Sequence, residues 1–85
     1  MKKTMLVKIY TIEKGLEIKE NVRIIRIKSK NYNLLVMDDF VPIIGEIEGD
    51  IDIEMADDSL SLKNIKAYYM NSNNVFNLIV EDINV

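Results

Sequence analysis

The stretch LLVMDDFVPIIGEIEGDIDIEM, residues 34–55, decides the fold, because it contains the only proline and two of the three glycines. Its second half alternates, with Ile47, Ile51 and Ile53 on one parity. The other parity carries only carboxylates, at Glu46, Glu48, Asp50, Asp52 and Glu54. Side chains of a strand alternate between two faces, and helical spacing does not segregate them in this way. The stretch therefore predicts a strand with an apolar inner face and an acidic outer face.

Short segments with strand-like alternation or apolar runs flank this stretch on both sides. They fall at residues 5–12, 16–18, 21–28, 34–37, 60–62, 67–70 and 75–80. Polar turns separate them, and the sequence Asn-Ser-Asn-Asn at 71–74 predicts a hairpin because asparagine tolerates positive φ. No helical period of ten residues occurs. We therefore expect a single all-β domain over residues 1–85, an antiparallel β-sandwich or flattened barrel of about eight to ten short strands.

Composition restricts how such a domain is stabilised. A chain of 85 residues builds one modest core, and without cysteine it has neither disulfides nor a thiolate metal site. The lack of cysteine fits a reducing, cytosolic setting.

The basic start resembles that of a signal peptide, but the apolar run after it stops at Lys8. No segment is long enough to cross a membrane as a helix.

Charge is unevenly distributed along the chain. Residues 1–30 contain nine Lys or Arg against three Glu, whereas residues 31–85 contain two Lys against eleven Asp or Glu. Such asymmetry can indicate a nucleic-acid-binding arm on an acidic body. The basic residues alternate with apolar ones, however, and do not form a block. The pattern therefore favours early and late strands that pair across one sheet.

The acidic alternation also has enzymatic and metal-binding interpretations. Alternate strand residues lie roughly 7 Å apart, a spacing that suits paired glycosidase carboxylates such as Glu48, Asp50 or Asp52. Any solvated acidic strand gives the same distances. An EF-hand loop needs glycine where Met55 stands. Histidine and cysteine are absent, and the glycines are too dispersed for a phosphate loop. We expect no catalytic, metal-binding or cofactor-binding residues, and no cofactor.

A basic set offers an alternative as a binder of single-stranded nucleic acid. It comprises Arg23, Arg26, Lys28 and Lys30, with the ring of Tyr32 nearby to stack a base. Only Arg26 and Lys28 clearly share a face, aromatic residues are few, and the acidic half repels a polyanion. We therefore expect no nucleic-acid partner.

Five segments in order resemble the N-terminal β-sandwich of the epsilon subunit of F-type rotary ATP synthases, called delta in mitochondria. They are Val7–Lys14, Val22–Ile27, Val36–Ile44, Gly49–Ile53 and Asn74–Asp82. The third is similar to the segment Val-Leu-Pro-Gly-His-Ala-Pro-Leu-Leu of that family. Two departures stand out, since Asp38-Asp39-Phe40 replaces Pro-Gly-His, and Asn64-Ile65-Lys66 stands where the family commonly has Ser-Gly-Gly.

The resemblance implies a noncatalytic central-stalk subunit that binds the foot of the gamma subunit and the membrane rotor ring, and so couples proton transport to ATP synthesis. It implies a cytoplasmic protein, peripheral to the membrane through the complex alone. The ring-facing turn of the family corresponds to Ser29, Lys30, Asn31, Tyr32 and Asn33. The loop Asp38, Asp39 and Phe40 is a second contact candidate. Longer members continue into an inhibitory helical hairpin, so a chain ending at Val85 is expected to lack that brake.

Three other interpretations remain open at this point. The domain could be a stand-alone protein-interaction adaptor of the same fold. The nucleic-acid and hydrolase interpretations are weaker, and each depends on a few charged residues: Arg26 and Lys28 for the first, and Glu48, Asp50 and Asp52 for the second.

Overall fold

The computed structural model describes residues 4–83 and contains six strands and no helix in that range. The strands are β1 (Met5–Thr11), β2 (Gly15–Ser29), β3 (Asn33–Val36), β4 (Ile43–Met55), β5 (Ser59–Ser72) and β6 (Val75–Ile83). Lys2 and Lys3, which contribute to the basic N-terminal part, lie outside the described residues. Within those residues no helix of the length and hydrophobicity needed to span a membrane is present.

Five of the strands close into a barrel. The order is β1-β6-β5-β4-β2, and pairing of β1 with the first half of β2 closes it, while β3 adds to the outer side of the second half of β2. The molecule measures 39 × 27 × 19 Å, so the barrel is flattened. The expected all-β fold is therefore confirmed.

Two details differ from the expectation. The described residues form six strands, which are fewer and longer than the eight to ten short strands expected. Neighbouring short segments join into one strand through a residue with positive φ, Asn21 (φ 56°) within β2 and Asn64 (φ 52°) within β5. Register shifts accompany both residues. The sheet is also not purely antiparallel, since closure brings β1 beside β6 in parallel.

The core follows the alternation seen in the sequence. Ile47, Ile51 and Ile53 of β4 are fully buried, as predicted, and β1, β5 and β6 contribute residues of one parity each. In β2 the buried parity changes between Val22 and Ile25, where the register shifts. Burying a side chain of this size stabilises the fold by roughly 1.5–3 kcal/mol. The buried apolar residues outside β4 are Met5, Val7, Ile9, Val22, Ile25, Ile27, Val36, Ile65, Ala67, Tyr69, Phe76, Leu78 and Val80.

The β5–β6 turn and one glycine of β4 depend on special backbone geometry. Asn73 and Asn74 both adopt positive φ and form the two-residue turn of the β5–β6 hairpin, which confirms the hairpin predicted from the asparagines. At Gly49 a Cβ atom would collide with the backbone carbonyl oxygen of Lys28. A glycine at this position allows β4 to approach β2 closely where the two strands begin to pair.

The basic strand pairs with the acidic one. In the β2–β4 register, Arg26 lies opposite Asp52 and Lys28 opposite Asp50. The ion pairs run diagonally across this ladder, with Arg26 Nη1 2.8 Å from Glu54 Oε2 and Lys28 Nζ 3.8 Å from Asp52 Oδ2. The structure thus confirms that the uneven charge distribution reflects strand pairing.

Candidate docking surfaces

The turn at residues 29–33 braces the edge of β4. N-terminal to Gly49, β4 has no β2 residue opposite it. There the turn forms hydrogen bonds with the backbone amide and carbonyl of Glu48. The Glu48 amide donates to Ser29 Oγ at 3.0 Å, and the Lys30 amide donates to the Glu48 carbonyl at 2.8 Å. Lys30, Asn31 and Asn33 are exposed. Their side chains, together with part of the Tyr32 ring, are exposed to solvent in this predicted contact turn.

The hydroxyl of Tyr32 forms hydrogen bonds within the fold. Its hydroxyl donates to the Glu46 carbonyl at 2.6 Å and lies 3.0 Å from the hydroxyl of Tyr69. Burial raises the pKa of the Tyr32 phenol far above its usual range, and the hydrogen bond to Tyr69 and the charge of Glu46 act in the same direction. Tyr69 in turn stacks on Phe76, with ring centroids 5.4 Å apart. These contacts join the turn to the core.

The loop after β3, residues 38–40, contacts the β5–β6 turn and not the edge of β4. Asp39 adopts φ 60°, and its amide donates to Asn74 Oδ1 at 2.6 Å, while Asn74 Nδ2 donates back to Asp39 Oδ1 at 3.3 Å. Phe40 packs against the core. The second contact candidate, Asp38, Asp39 and Phe40, therefore contacts the β5–β6 turn, whereas residues 29–33 contact the edge of β4.

The acidic face of β4 is largely neutralised by its neighbours. Besides the pairs with Arg26 and Lys28, Lys30 lies 3.9 Å from Glu48 and Lys63 lies 3.9 Å from Asp50. A hydrogen bond from Ser61, 2.6 Å long, lowers the pKa of Asp52, and burial opposes this effect while Lys63, Lys28 and Arg26 add to it. Such pairing leaves few free charges for a hydrolytic site or for a polyanion.

The same region gives no indication of a metal site. Within residues 4–83, no group of three or more histidine, cysteine, aspartate or glutamate side chains could hold a metal ion.

A broad apolar surface lies on the outside of the barrel. The strand registers define two rows of outward-facing side chains across five strands, about 19 Å wide at the usual strand spacing. The first row is Leu16, Tyr10, Ile79, Tyr68 and Glu46, and the second is Ile18, Lys8, Asn77, Met70 and Ile44. We call the seven large apolar members of these rows, Tyr10, Leu16, Ile18, Ile44, Tyr68, Met70 and Ile79, the outer apolar face.

All seven side chains are exposed, from 37% for Tyr10 to 80% for Ile44. A contiguous exposed apolar patch on a small domain indicates a surface that another molecule covers. This face was not predicted from the sequence, although the sequence contains a signal for it. The runs Tyr68-Tyr69-Met70 and Leu78-Ile79-Val80 are apolar on both parities, which means that both faces of the strand are apolar.

Charged and polar groups border the outer apolar face and interrupt its second row. The charge of Glu81 and its hydrogen bond to Tyr68 raise the pKa of the Tyr68 phenol, with a further contribution from Glu46. Lys8 lies within the second row. An apolar centre with a few polar groups around it is the usual composition of a protein interface.

No protein-family model and no curated protein matches the sequence. Among solved structures, the chain is similar to a chain in the cryo-EM structure of the Tetrahymena thermophila mitochondrial ATP synthase, central stalk and c-ring. The two superpose with a TM-score of 0.74 and 18% identity, over 95% of this chain and 66% of that one. The chain thus spans about two thirds of the length of that neighbour. At this identity the similarity shows a shared fold.

Proposed function

We propose that this chain is a noncatalytic central-stalk subunit of an F-type or F-like ATP synthase. In this role it binds the foot of the gamma subunit and the membrane rotor ring, and it transmits rotation between them. It acts in the cytoplasm and is held at the membrane through the complex. The observation that carries the proposal is the superposition on a chain from an ATP synthase central stalk and c-ring over 95% of the residues.

The outer apolar face supports a role as a docking module. It gives the domain an apolar surface that spans five strands, and the gamma subunit is the partner that we assign to it. Rigid strands hold the side chains in place before binding, which lowers the entropic cost of association. Tyr10 and Tyr68 supply aromatic anchors, a residue type that often contributes most of the binding energy.

We assign the rotor ring to the turn at residues 29–33. Lys30, Asn31 and Asn33 are exposed there, while Ser29 and Tyr32 hold the turn against β4. A braced turn with polar tips is suited to contact the polar loops of another protein. The loop at Asp38, Asp39 and Phe40 is a weaker candidate for the same contact, because it is attached to the β5–β6 turn.

Gel filtration of the chain mixed with the gamma subunit encoded in the same genome tests the proposal. We expect the two proteins to elute together as a stable complex. Separate elution at micromolar concentration would reject the stalk assignment and favour a free-standing adaptor of the same fold.

A pair of matched variants tests the docking face. Ile79 lies in the middle of the outer apolar face and is 53% exposed, whereas Leu35 on β3 is 47% exposed and lies outside it. Ile79→Asp is expected to abolish co-elution, because it places a charge in an apolar interface. Leu35→Asp should bind as the unmodified chain does. Equal loss of binding in both variants would argue against this face.

A further inference from the structure

One end of the barrel has an open mouth with a volume of about 330 Å³. Three elements form it: the β1–β2 hairpin, the last part of β6, and the first part of β5. Five apolar side chains line it, Ile9, Ile12, Leu60, Leu62 and Val80. Mouths of β-barrels are frequent binding sites. This volume is at the small end of the range for ligand sites, and it suits one or two side chains of a larger partner.

The charge at this mouth is predominantly negative. Glu13, Glu17 and Glu81 line it together with a single cation, Lys14. Glu17 lies opposite Ile9 in the β1–β2 register, so its carboxylate shares the inner face of the hairpin with that core residue. Within residues 4–83, neither Glu13 nor Glu17 forms an ion pair with another side chain. A basic occupant would supply the missing partner.

The backbone at the mouth is also incompletely paired. β5 pairs with β4 from Ser59 onward, but its pairing with β6 begins at Ile65. Among the described residues, 59–62 therefore have no strand on the β6 side. Unpaired strand edges recruit extended polypeptides by adding a further strand. Apolar pockets for alternate side chains are the usual companion of such an edge, and Leu60 and Leu62 supply them here.

An exposed apolar side chain lies at the rim of the mouth, beside charged residues. Ile12 is 91% exposed and begins the turn after β1, next to Glu13 and Lys14. A large apolar side chain in this position has no contact to its own fold that would bury it. It can close over a bound segment.

From the apolar lining, the unpaired carboxylates and the open strand edge, we propose that the barrel mouth binds an extended segment of a partner protein in which apolar and basic residues alternate. The apolar side chains enter between Leu60, Leu62 and Val80. Because alternate side chains of a strand point to opposite sides, the basic side chains lie over the rim of the mouth, where their long stems reach Glu13 and bend inward to Glu17. None of the residues of the outer apolar face lines this site, although Glu81 borders both, and the proposal stands whether or not the chain is a stalk subunit.

The test is a titration of the ¹⁵N-labelled chain with a capped hexapeptide of alternating valine and lysine, followed by amide chemical shifts. We expect saturable shifts confined to the residues that line the mouth and to residues 59–62. The same peptide with glutamate in place of lysine should cause none. Equal binding of both peptides, shifts centred on the outer apolar face, or no shifts at all would overturn the proposal.

Three variants and one small-molecule probe test the proposal further. Glu17→Gln should weaken the valine–lysine peptide about three- to fivefold, the effect of losing one partly exposed ion pair. Glu13→Gln, in the exposed turn, provides a second test that does not touch the barrel interior. Glu48→Gln, on the far acidic face, should leave the affinity unchanged. If n-butylammonium binds as tightly as the peptide, the occupant is not an extended segment and the proposal is wrong.

Discussion

At the residue scale, Gly45 determines how Tyr69 is placed. The two residues lie opposite each other in the β4–β5 register, and a Cβ atom at Gly45 would collide with the hydroxyl end of the Tyr69 ring. That ring is buried and stacked on Phe76, so it cannot move away cheaply. An aromatic ring beside a strand glycine is a known way to compensate for the missing side chain.

Gly45→Ala should therefore lower the free energy of unfolding by about 1–3 kcal/mol, the usual cost of overpacking. Urea denaturation followed by tyrosine fluorescence measures the change. Glu46→Ala, next to it on the exposed face, is the control and should change the stability by less than about 0.5 kcal/mol. Equal stability of Gly45→Ala and the unmodified chain would show that Tyr69 does not need this space.

Tyr32→Phe removes the hydroxyl that joins the turn to β4 and leaves the Glu46 carbonyl and the Tyr69 hydroxyl without that partner. We expect a loss of about 1–2 kcal/mol at neutral pH, which is typical for a partly buried hydrogen bond. Chemical denaturation at pH 7 gives this value.

The same tyrosine predicts a pH dependence. Its folded-state pKa is raised, so the neutral phenol is favoured in the fold. The contribution of Tyr32 to stability is complete below the unfolded pKa, about 10, and decreases above it, because the unfolded chain loses its proton first. Between pH 9 and pH 11, as a rough working range, the unmodified chain should lose more stability than Tyr32→Phe. Parallel losses would contradict the assigned role.

Residue-level features were predictable where a local rule was sufficient. The inward parity of Ile47, Ile51 and Ile53 and the turn at Asn73 and Asn74 follow from alternation and from the tolerance of asparagine for positive φ. The partners of Tyr32 were not predictable, because they come from residues 14 and 37 positions away along the chain.

At the element scale, the β2–β4–β5 ladder balances the acidic residues of β4. Asp52 occupies its centre, with Ser61 on one side and Lys28 on the other. Because its pKa is lowered, mainly by the Ser61 hydroxyl, Asp52 contributes stability above its unfolded pKa, near 4. That contribution is lost as the pH falls through the lower folded-state pKa.

Asp52→Asn should be less stable than the unmodified chain by about 1 kcal/mol at pH 7, and the difference should shrink as the pH falls below the unfolded pKa of Asp52 and through its lower folded-state pKa. Thermal melts across this pH range give the comparison. Asp57→Asn, in the exposed β4–β5 turn, serves as the control and should show no comparable difference. A deficit of Asp52→Asn that persists unchanged in acid would indicate a packing effect.

Strand lengths could not be predicted from local pattern. The sequence suggests breaks at Asn21 and near Asn64, where the alternation is interrupted. In the structure, each of these residues adopts positive φ within a continuous strand that bends. At Asn64 the amide also donates to Asp50 Oδ1, 3.0 Å away on the neighbouring strand. A cross-strand contact of this kind has no local sequence signature.

At the scale of the whole molecule, barrel closure determines which apolar residues remain outside. β1 pairs with both β6 and β2, and this brings Tyr10 between Ile79 and Leu16. The sequence predicts an all-β domain, but it does not show that the first and last strands meet in parallel. The outer apolar face exists only because of that closure, which explains why the contact candidates taken from the family resemblance did not include it.

The proposed docking of the gamma subunit makes a direct prediction for two methionines. Met70 lies in the outer apolar face and is 48% exposed, whereas Met37 follows β3 outside that face and is 44% exposed. Exposed methionine oxidises readily to the sulfoxide, and a bound partner slows this reaction. The two residues are matched in chemistry and exposure, so one serves as the internal control for the other.

The most direct test is therefore hydroxyl-radical oxidation of the chain with and without the gamma subunit, read by mass spectrometry. If the outer apolar face binds gamma, the oxidation rate of Met70 falls severalfold and that of Met37 is unchanged. Unchanged oxidation of Met70 in the presence of excess gamma, or protection of Met37 in its place, would contradict the account.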